Sequence, residues 1–298
     1  MDGAGVRVVG AVRDAPDCVV PEGHTIHRLA RDLTRTLSRR PVEATSPQGR
    51  FAGGADAIDG CTLESAAAWG KYLFCDFGTG EVLHVHLGLI GKFRQRAFPP
   101  EEPVGEIRLR LVGEDSTWDL SGPTRCELVN PGEQERIVAK LGPDPLRRDA
   151  DPDAARTRLA RTTRPIGATL LDQSIIAGIG NVYRAELLFL CGIHPARPSD
   201  TLTDDEFDAL WSRTVELLRI GERLGRIVTT DPDEIGRPRS RMRRDERLYV
   251  YHREHCRRCG DSLRTDLIGG RPITSCPTCQ PVSRARTRRS AARSTRRA

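Results

Sequence analysis

Two groups of residues in this 298-residue chain have types and spacings that suit chemistry. The first is Cys256-x2-Cys259, sixteen intervening residues, then Cys276-x2-Cys279. Two such knuckles can place four thiolates around one tetrahedral Zn²⁺. Four thiolates leave no open coordination position, so the expected metal is structural and braces a hairpin too small for its own core. Arg271 lies in the "GGRP" stretch of that hairpin. It is either an ordinary surface arginine or a charge held rigidly toward a ligand. The second group is Pro21-Glu22. A proline at a chain terminus carries a secondary amine with a pKa of about 8, partly neutral at physiological pH. Such an amine can attack a carbon electrophile and form an iminium, with a neighbouring carboxylate moving the protons. An internal proline is an amide and can do neither, yet twenty residues precede Pro21.

Two weaker signals accompany these. Lys71, in "AWGKYLF", heads an apolar strand and either faces a cleft or caps a sheet edge. In "DQSIIAGIGNVYRAELL", two glycines allow a tight turn before a helix expected to begin near Asn181. Free N–H groups at such a helix start attract anions, and a phosphate would fit. An ordinary tight turn between helices reads the same way.

The elements that must position these residues are legible in outline. Ile26, Leu29, Ala30, Leu33 and Leu37 recur at helical spacing, so a helix follows Pro21-Glu22 at once. From about 41 to 130 the pattern is short strands: "KYLFCDF" and "EVLHVHLGLI" flank one turn, "GEIRLRLVG" and "STWDL" another. That order suits an antiparallel two-layer β domain. "LGPDPLRRDADPD", 141–153, reads as a linker. The second half is helical. Leu170, Leu171 and Ile175 mark one helix, and "VYRAELLFLC" another that stops at Gly192. A third begins with Thr203 and Glu206 as a capping box and stops at Gly221. Residues 229–247 read as a mobile loop rich in Arg, Pro and Asp.

Hydrophobic residues are 38% and charged residues 30%, the balance of a soluble globular chain. No apolar run reaches the length of a membrane span, and residues 1–20 lack the basic front and apolar centre of a secretory signal. A cytoplasmic location is the expectation. The net charge of +6 is unevenly spread. Residues 282–298 hold seven arginines and no acid, which leaves the body near neutrality. Residues 237–264 hold ten arginines against four acids, either a phosphate-binding strip or a solvated arginine-rich stretch. Cys18, Cys61, Cys75, Cys126 and Cys191 are scattered and read as small apolar residues.

Taken in order, "PEGHTIHRLA", "AWGKYLF", "HVHLGLIGKF", "LGPDPL", "DQSIIAGIGNVYRAELL" and "GGRPITSCPTCQ" resemble the formamidopyrimidine-DNA glycosylase / endonuclease VIII family, specifically its actinobacterial endonuclease VIII branch. The resemblance spans about residues 21–280. It implies an α+β protein with an N-terminal antiparallel β-sandwich, a C-terminal helix–two-turn–helix domain and a four-cysteine zinc finger. The implied division is 1–20 as a non-native extension, 21–140 catalytic, 141–153 linker, 154–248 DNA-binding, 249–281 zinc finger and 282–298 a disordered basic tail. The implied activity is a bifunctional DNA glycosylase and abasic-site lyase of base excision repair, a monomer acting on damaged duplex DNA. Pro21 corresponds to the nucleophile, Glu22 to the acid/base residue, and Lys71, Asn181 and Arg271 to phosphate-gripping positions. Leu89 corresponds to the side chain inserted where a nucleotide has been flipped out.

Two positions depart from the family pattern. Thr25 stands where many members have a second glutamate, and Ser121 where some have a gap-filling arginine. The second departure favours oxidised pyrimidines over 8-oxoguanine-type lesions. Residues 1–20 would acylate the essential amine. Val20 directly precedes Pro21, and a GTG valine codon can start translation with a methionine that is removed before proline. The contrasting expectation is a non-enzymatic protein that binds damaged DNA with the zinc finger and helical turn alone.

Overall fold

The computed structural model describes residues 21–38 and 40–282. The extension 1–20 and the tail from 283 lie outside the described residues. The first helix, α1 (Gly23–Leu37), starts two residues after Pro21. Its apolar stripe of Ile26, Leu29, Ala30, Leu33 and Leu37 is buried, as its spacing requires. A strand β1 (Glu43–Thr45) and a short helix α2 (Ala52–Ile58) follow.

Seven further strands build two antiparallel sheets. They are β2 (Ser65–Trp69), β3 (Tyr72–Asp76), β4 (Val82–His86), β5 (Lys92–Arg96), β6 (Ile107–Val112), β7 (Thr117–Ser121) and β8 (Arg125–Val129). One sheet has the order β1-β6-β7-β5, the other β2-β3-β4-β8. Register pairs such as Leu73 with Val85 and Leu111 with Trp118 place apolar residues side by side. Side chains from both sheets and α1 merge in one core, including Ile26, Leu33, Leu83, Leu109 and Leu120. Each fully buried side chain of this size contributes roughly 2 kcal/mol. A helix α3 (Pro131–Ala139), opened by an Asn130–Glu133 capping box, closes this half.

The second half contains α4 (Pro152–Ala160), a single turn α5 (Ile166–Thr169), α6 (Asn181–Leu190), α7 (Asp204–Leu224) and α8 (Pro232–Ile235). A hairpin of β9 (Arg264–Ile268) and β10 (Arg271–Ser275) ends it. Val182 through Phe189 are all buried, so α6 is the axis of this half. It carries two buried charges, Arg184 and Glu186. Glu186 accepts the amides of Tyr249, Val250 and Tyr251, each at 2.8 Å, and so fixes the approach to the cysteine hairpin. Arg184 is taken up below. Among the described residues no helix is long and apolar enough to cross a membrane.

The structure corrects several expectations. Leu170, Leu171 and Ile175 do not mark a helix; regular helix stops at Thr169, and the chain then turns irregularly. Gly221 does not end α7, which runs to Leu224 and closes on Gly225 in the left-handed conformation. Gly221 is glycine because a Cβ there would overlap the Tyr183 hydroxyl. Residues 229–247 are not a loose loop. Thr230 donates to the Glu246 carbonyl at 2.7 Å, Arg243 bonds Glu246, and Met242 and Glu246 are buried. Helices α2 and α3 were not anticipated.

Candidate active site and metal centre

Three glycines bring the two halves together behind Pro21. The Gly23 amide donates to the Gly178 carbonyl at 2.8 Å. A Cβ on Gly23 would lie 2.9 Å from Gly178 Cα, and one on Gly70 2.8 Å from the Ala177 Cβ. Side chains at these positions would wedge apart the start of α1, the β2–β3 turn and the loop before α6. The crossing places Glu22 against the N-terminus of α6. Its carboxylate accepts the Gly180 amide at 2.5 Å and the Val182 amide at 2.8 Å. The anion expected at this helix start is therefore supplied by the protein itself. The phosphate reading of those amides is corrected. Gly180 is obligatory for the same reason, since a Cβ there would stand 2.5 Å from the carboxyl carbon.

Glu22 is completely buried. Burial pushes its carboxyl above the ordinary range, opposed first by the Lys71 charge and then by the amide hydrogen bonds. Burial likewise pushes the Lys71 amine down, while Glu22 supports its charge and Arg271 opposes it. Lys71 makes no hydrogen bond or salt bridge within the described residues. A buried carboxyl whose pKa is raised and a partly desolvated amine whose pKa is lowered thus stand within electrostatic reach of each other.

Pro21, Lys71, His86, Leu89, Asn181 and Arg271 line one cavity of about 370 Å³. All five cavity-facing residues singled out in the sequence for catalysis or DNA contact are among them, and Glu22 lies directly behind. Leu89 is 51% exposed on the turn between β4 and β5, as an inserting side chain would need to be. Thr25 bonds its neighbour His24 at 3.3 Å, and Ser121 ends β7 opposite Lys92. His24 is an interior residue. Burial lowers its pKa to about 3, and its ring packs edge-on against Tyr183.

Sequence reasoning missed the residues that hold these. Asp144 is buried and its Oδ2 accepts both the Gly70 amide and the His27 Nε2–H at 2.6 Å. It thereby fixes the turn that presents Lys71. Gln173 accepts the Gly178 amide at 2.9 Å and donates to the Ile179 carbonyl at 3.0 Å, which shapes the loop before Asn181. His86 shares the cavity. Its Nδ1 lies 2.8 Å from the Thr124 hydroxyl, and burial, with Lys71 next, holds its pKa down to about 4. The available signal was polar residues set inside otherwise apolar motifs.

Cys256, Cys259, Cys276 and Cys279 converge with their sulfurs all within 4.8 Å of one another. Cys256 and Cys279 Sγ are 3.9 Å apart, and Cys259 and Cys276 Sγ 3.4 Å. Tetrahedral Zn–S bonds of about 2.3 Å imply sulfur separations of about 3.8 Å, so the four thiols fit one metal ion. The hairpin between the knuckles carries Arg271 to the cavity. The arginine-rich strip spends much of its charge internally, as in Arg243–Glu246 and Arg258–Glu234.

A model of the formamidopyrimidine-DNA glycosylase N-terminal domain matches residues 20–124, and one of the formamidopyrimidine-DNA glycosylase H2TH domain matches residues 141–233. The chain is 48% identical over 267 residues to endonuclease 8 1 of Mycobacterium bovis, covering 88% of this chain and all of that protein. It is 30% identical over 271 residues to the formamidopyrimidine-DNA glycosylase of Desulfitobacterium hafniense, covering 88% and 98%. The Lactococcus lactis glycosylase in complex with DNA containing N7-benzyl-Fapy-dG superposes with a TM-score of 0.72 at 26% identity, covering 88% of this chain and 100% of that one. The same protein with abasic-site DNA gives 0.70 at 26% identity, covering 87% and 99%.

Proposed function

The chain belongs to the formamidopyrimidine-DNA glycosylase / endonuclease VIII family of DNA glycosylases, and on that premise we propose that it is a bifunctional glycosylase and abasic-site lyase of base excision repair acting on oxidised pyrimidines in duplex DNA. The observation that carries this reading is the meeting of Pro21 with Lys71, Asn181 and Arg271 in one cavity, with the Glu22 carboxyl behind it.

The chemistry requires Pro21 to be the free amino terminus, because an amide nitrogen has no lone pair to give. The active form therefore begins at Pro21. The N-terminal domain match, which starts at residue 20, supports that boundary. The amine attacks C1′ of the flipped nucleotide, and the base leaves with a proton. Glu22, whose carboxyl is held toward its protonated form, supplies and retrieves protons. Ring opening gives an iminium between proline and sugar. Removal of a C2′ proton expels the 3′-phosphate and breaks the strand. Water then releases the sugar and restores the amine.

The remaining residues bind and shape. Lys71, Asn181 and Arg271 grip phosphates flanking the lesion. Leu89 fills the space the flipped nucleotide leaves. Serine at position 121 supports a preference for oxidised pyrimidines. Cys256, Cys259, Cys276 and Cys279 hold one structural Zn²⁺ that keeps the Arg271 hairpin rigid. The protein works as a monomer in the cytoplasm, at the nucleoid. The test is borohydride reduction during turnover on DNA with an oxidised pyrimidine or an abasic site. A covalent adduct mapped to Pro21 supports the reading, and its absence from protein beginning at Pro21 refutes it.

A further inference from the structure

Arg184 is completely buried on α6, one turn beyond Asn181. A buried guanidinium is costly unless its donors and its charge are met, and the usual partner is a carboxylate. Among the described residues Arg184 has no carboxylate partner. It spends its fork on four backbone carbonyls instead. Nη1 donates to Gly167 at 2.7 Å and Ile268 at 3.2 Å. Nη2 donates to Arg271 at 3.3 Å and Pro272 at 3.0 Å. One side chain therefore ties α5 to both strands flanking the Gly269–Gly270 turn.

The turn has little freedom to be held any other way. Gly269 lies at φ +65°, and a Cβ there would come 2.8 Å from the Ala168 Cβ of α5. The metal site lies at the other end of the hairpin, on residues that flank β9 and β10, and does not itself touch the turn. The charge of Arg184 also faces Arg271. Burial, followed by that like charge, brings its pKa down to about 10. Lys71 and Arg271 in the cavity lining, with Arg184 behind Arg271, bring positive charge to this side of the cavity, whose lining also includes Asp172, and that charge suits an incoming phosphate.

We propose that Arg184 is the positioning residue for Arg271: by gripping the hairpin carbonyls from inside, it fixes where the Arg271 guanidinium meets a DNA phosphate. This rests on the functional reading above. A lysine cannot reproduce the arrangement, because one ammonium on a flexible stem cannot serve four carbonyls in a fixed fork geometry.

The test measures affinity for duplex DNA carrying a tetrahydrofuran abasic analogue, at fixed salt, with metal content and thermal midpoint recorded for each protein. Arg184→Lys is expected to weaken binding roughly tenfold, as Arg271→Ala does, with metal retained. In the Arg271→Ala background, Arg184→Lys should add little, because the side chain it positions is gone. Gly269→Ala, which displaces the same turn without touching a charge, should behave alike. Equal losses from Arg184→Lys in both backgrounds would overturn the inference, since a merely structural residue costs the same whatever stands at 271. If Arg184→Lys does not fold, the Gly269→Ala cycle decides by the same criterion. Unchanged binding by Arg184→Lys, with binding weakened by Arg271→Ala, overturns this inference alone. No binding by the unsubstituted protein overturns the functional reading and this inference with it.

Discussion

Glu22 accepts the Gly180 amide at 2.5 Å across 158 residues of sequence. That bond places a carboxyl group at the positive end of α6 and, in the same act, docks the residue after Pro21 on the C-terminal half. A carboxylate there is stabilised by the helix N-terminus and penalised by burial. Burial dominates, so the group holds its proton to higher pH than an exposed glutamate.

Replacing Glu22 with glutamine removes the proton shuttle and one of two acceptors. Single-turnover base excision should fall by about two to four orders of magnitude, with abasic-DNA affinity changed far less. Equal losses in both would assign Glu22 to binding.

Gly180→Ala probes the same contact from the other side. The new Cβ would press on the Glu22 carboxyl. A loss of excision close to that of Glu22→Gln is expected, and wild-type activity would show that the close approach does not matter.

Asp144 serves the Lys71 turn with two acceptor bonds, so Asp144→Ala strands the Gly70 amide and the His27 ring. The expected cost is about 1–3 kcal/mol in unfolding free energy, measured by denaturant titration, together with weakened DNA binding. Unchanged stability would contradict the latch.

Leu89 is half exposed on its turn, so Leu89→Ala should leave stability within about 0.5 kcal/mol. Excision of a paired lesion should drop, while cleavage at a preformed abasic site should suffer less. The ratio of the two rates is the measurement.

His24 gives a pH dependence with a definite sign. Its folded pKa of about 3 lies below the ordinary 6.5, so the unfolded chain binds more protons between these values. Stability should therefore fall as pH drops below 6.5, by up to about 1.4 kcal/mol per pH unit from this group, and level off near pH 3. Thermal midpoints of the protein and of His24→Leu across that window test it; the variant should show the shallower slope.

Local features were the legible ones. The cysteine spacing, the α1 stripe and the Thr203 capping box each depend on residues close in sequence, and the structure gathers or forms each of them. The contacts behind them were not legible, because they join distant segments through backbone groups. Nothing near Asn181 announces that a carboxylate from residue 22 occupies its helix start. Asp144, Gln173 and Arg184 act by accepting from or donating to main-chain atoms, which leaves no partner residue type to look for. Leu170, Leu171 and Ile175 misled because a buried irregular turn and a short helix show the same apolar run.

The central claim is that the Pro21 nitrogen is the nucleophile, and borohydride trapping on abasic-site DNA tests it directly with two proteins, one beginning at Met1 and one at Pro21. The account predicts a covalent adduct on the Pro21 nitrogen of the shorter protein and none on the longer one for as long as residues 1–20 stay attached. Full trapping and strand cleavage by a protein whose intact mass still includes residues 1–20 would contradict it.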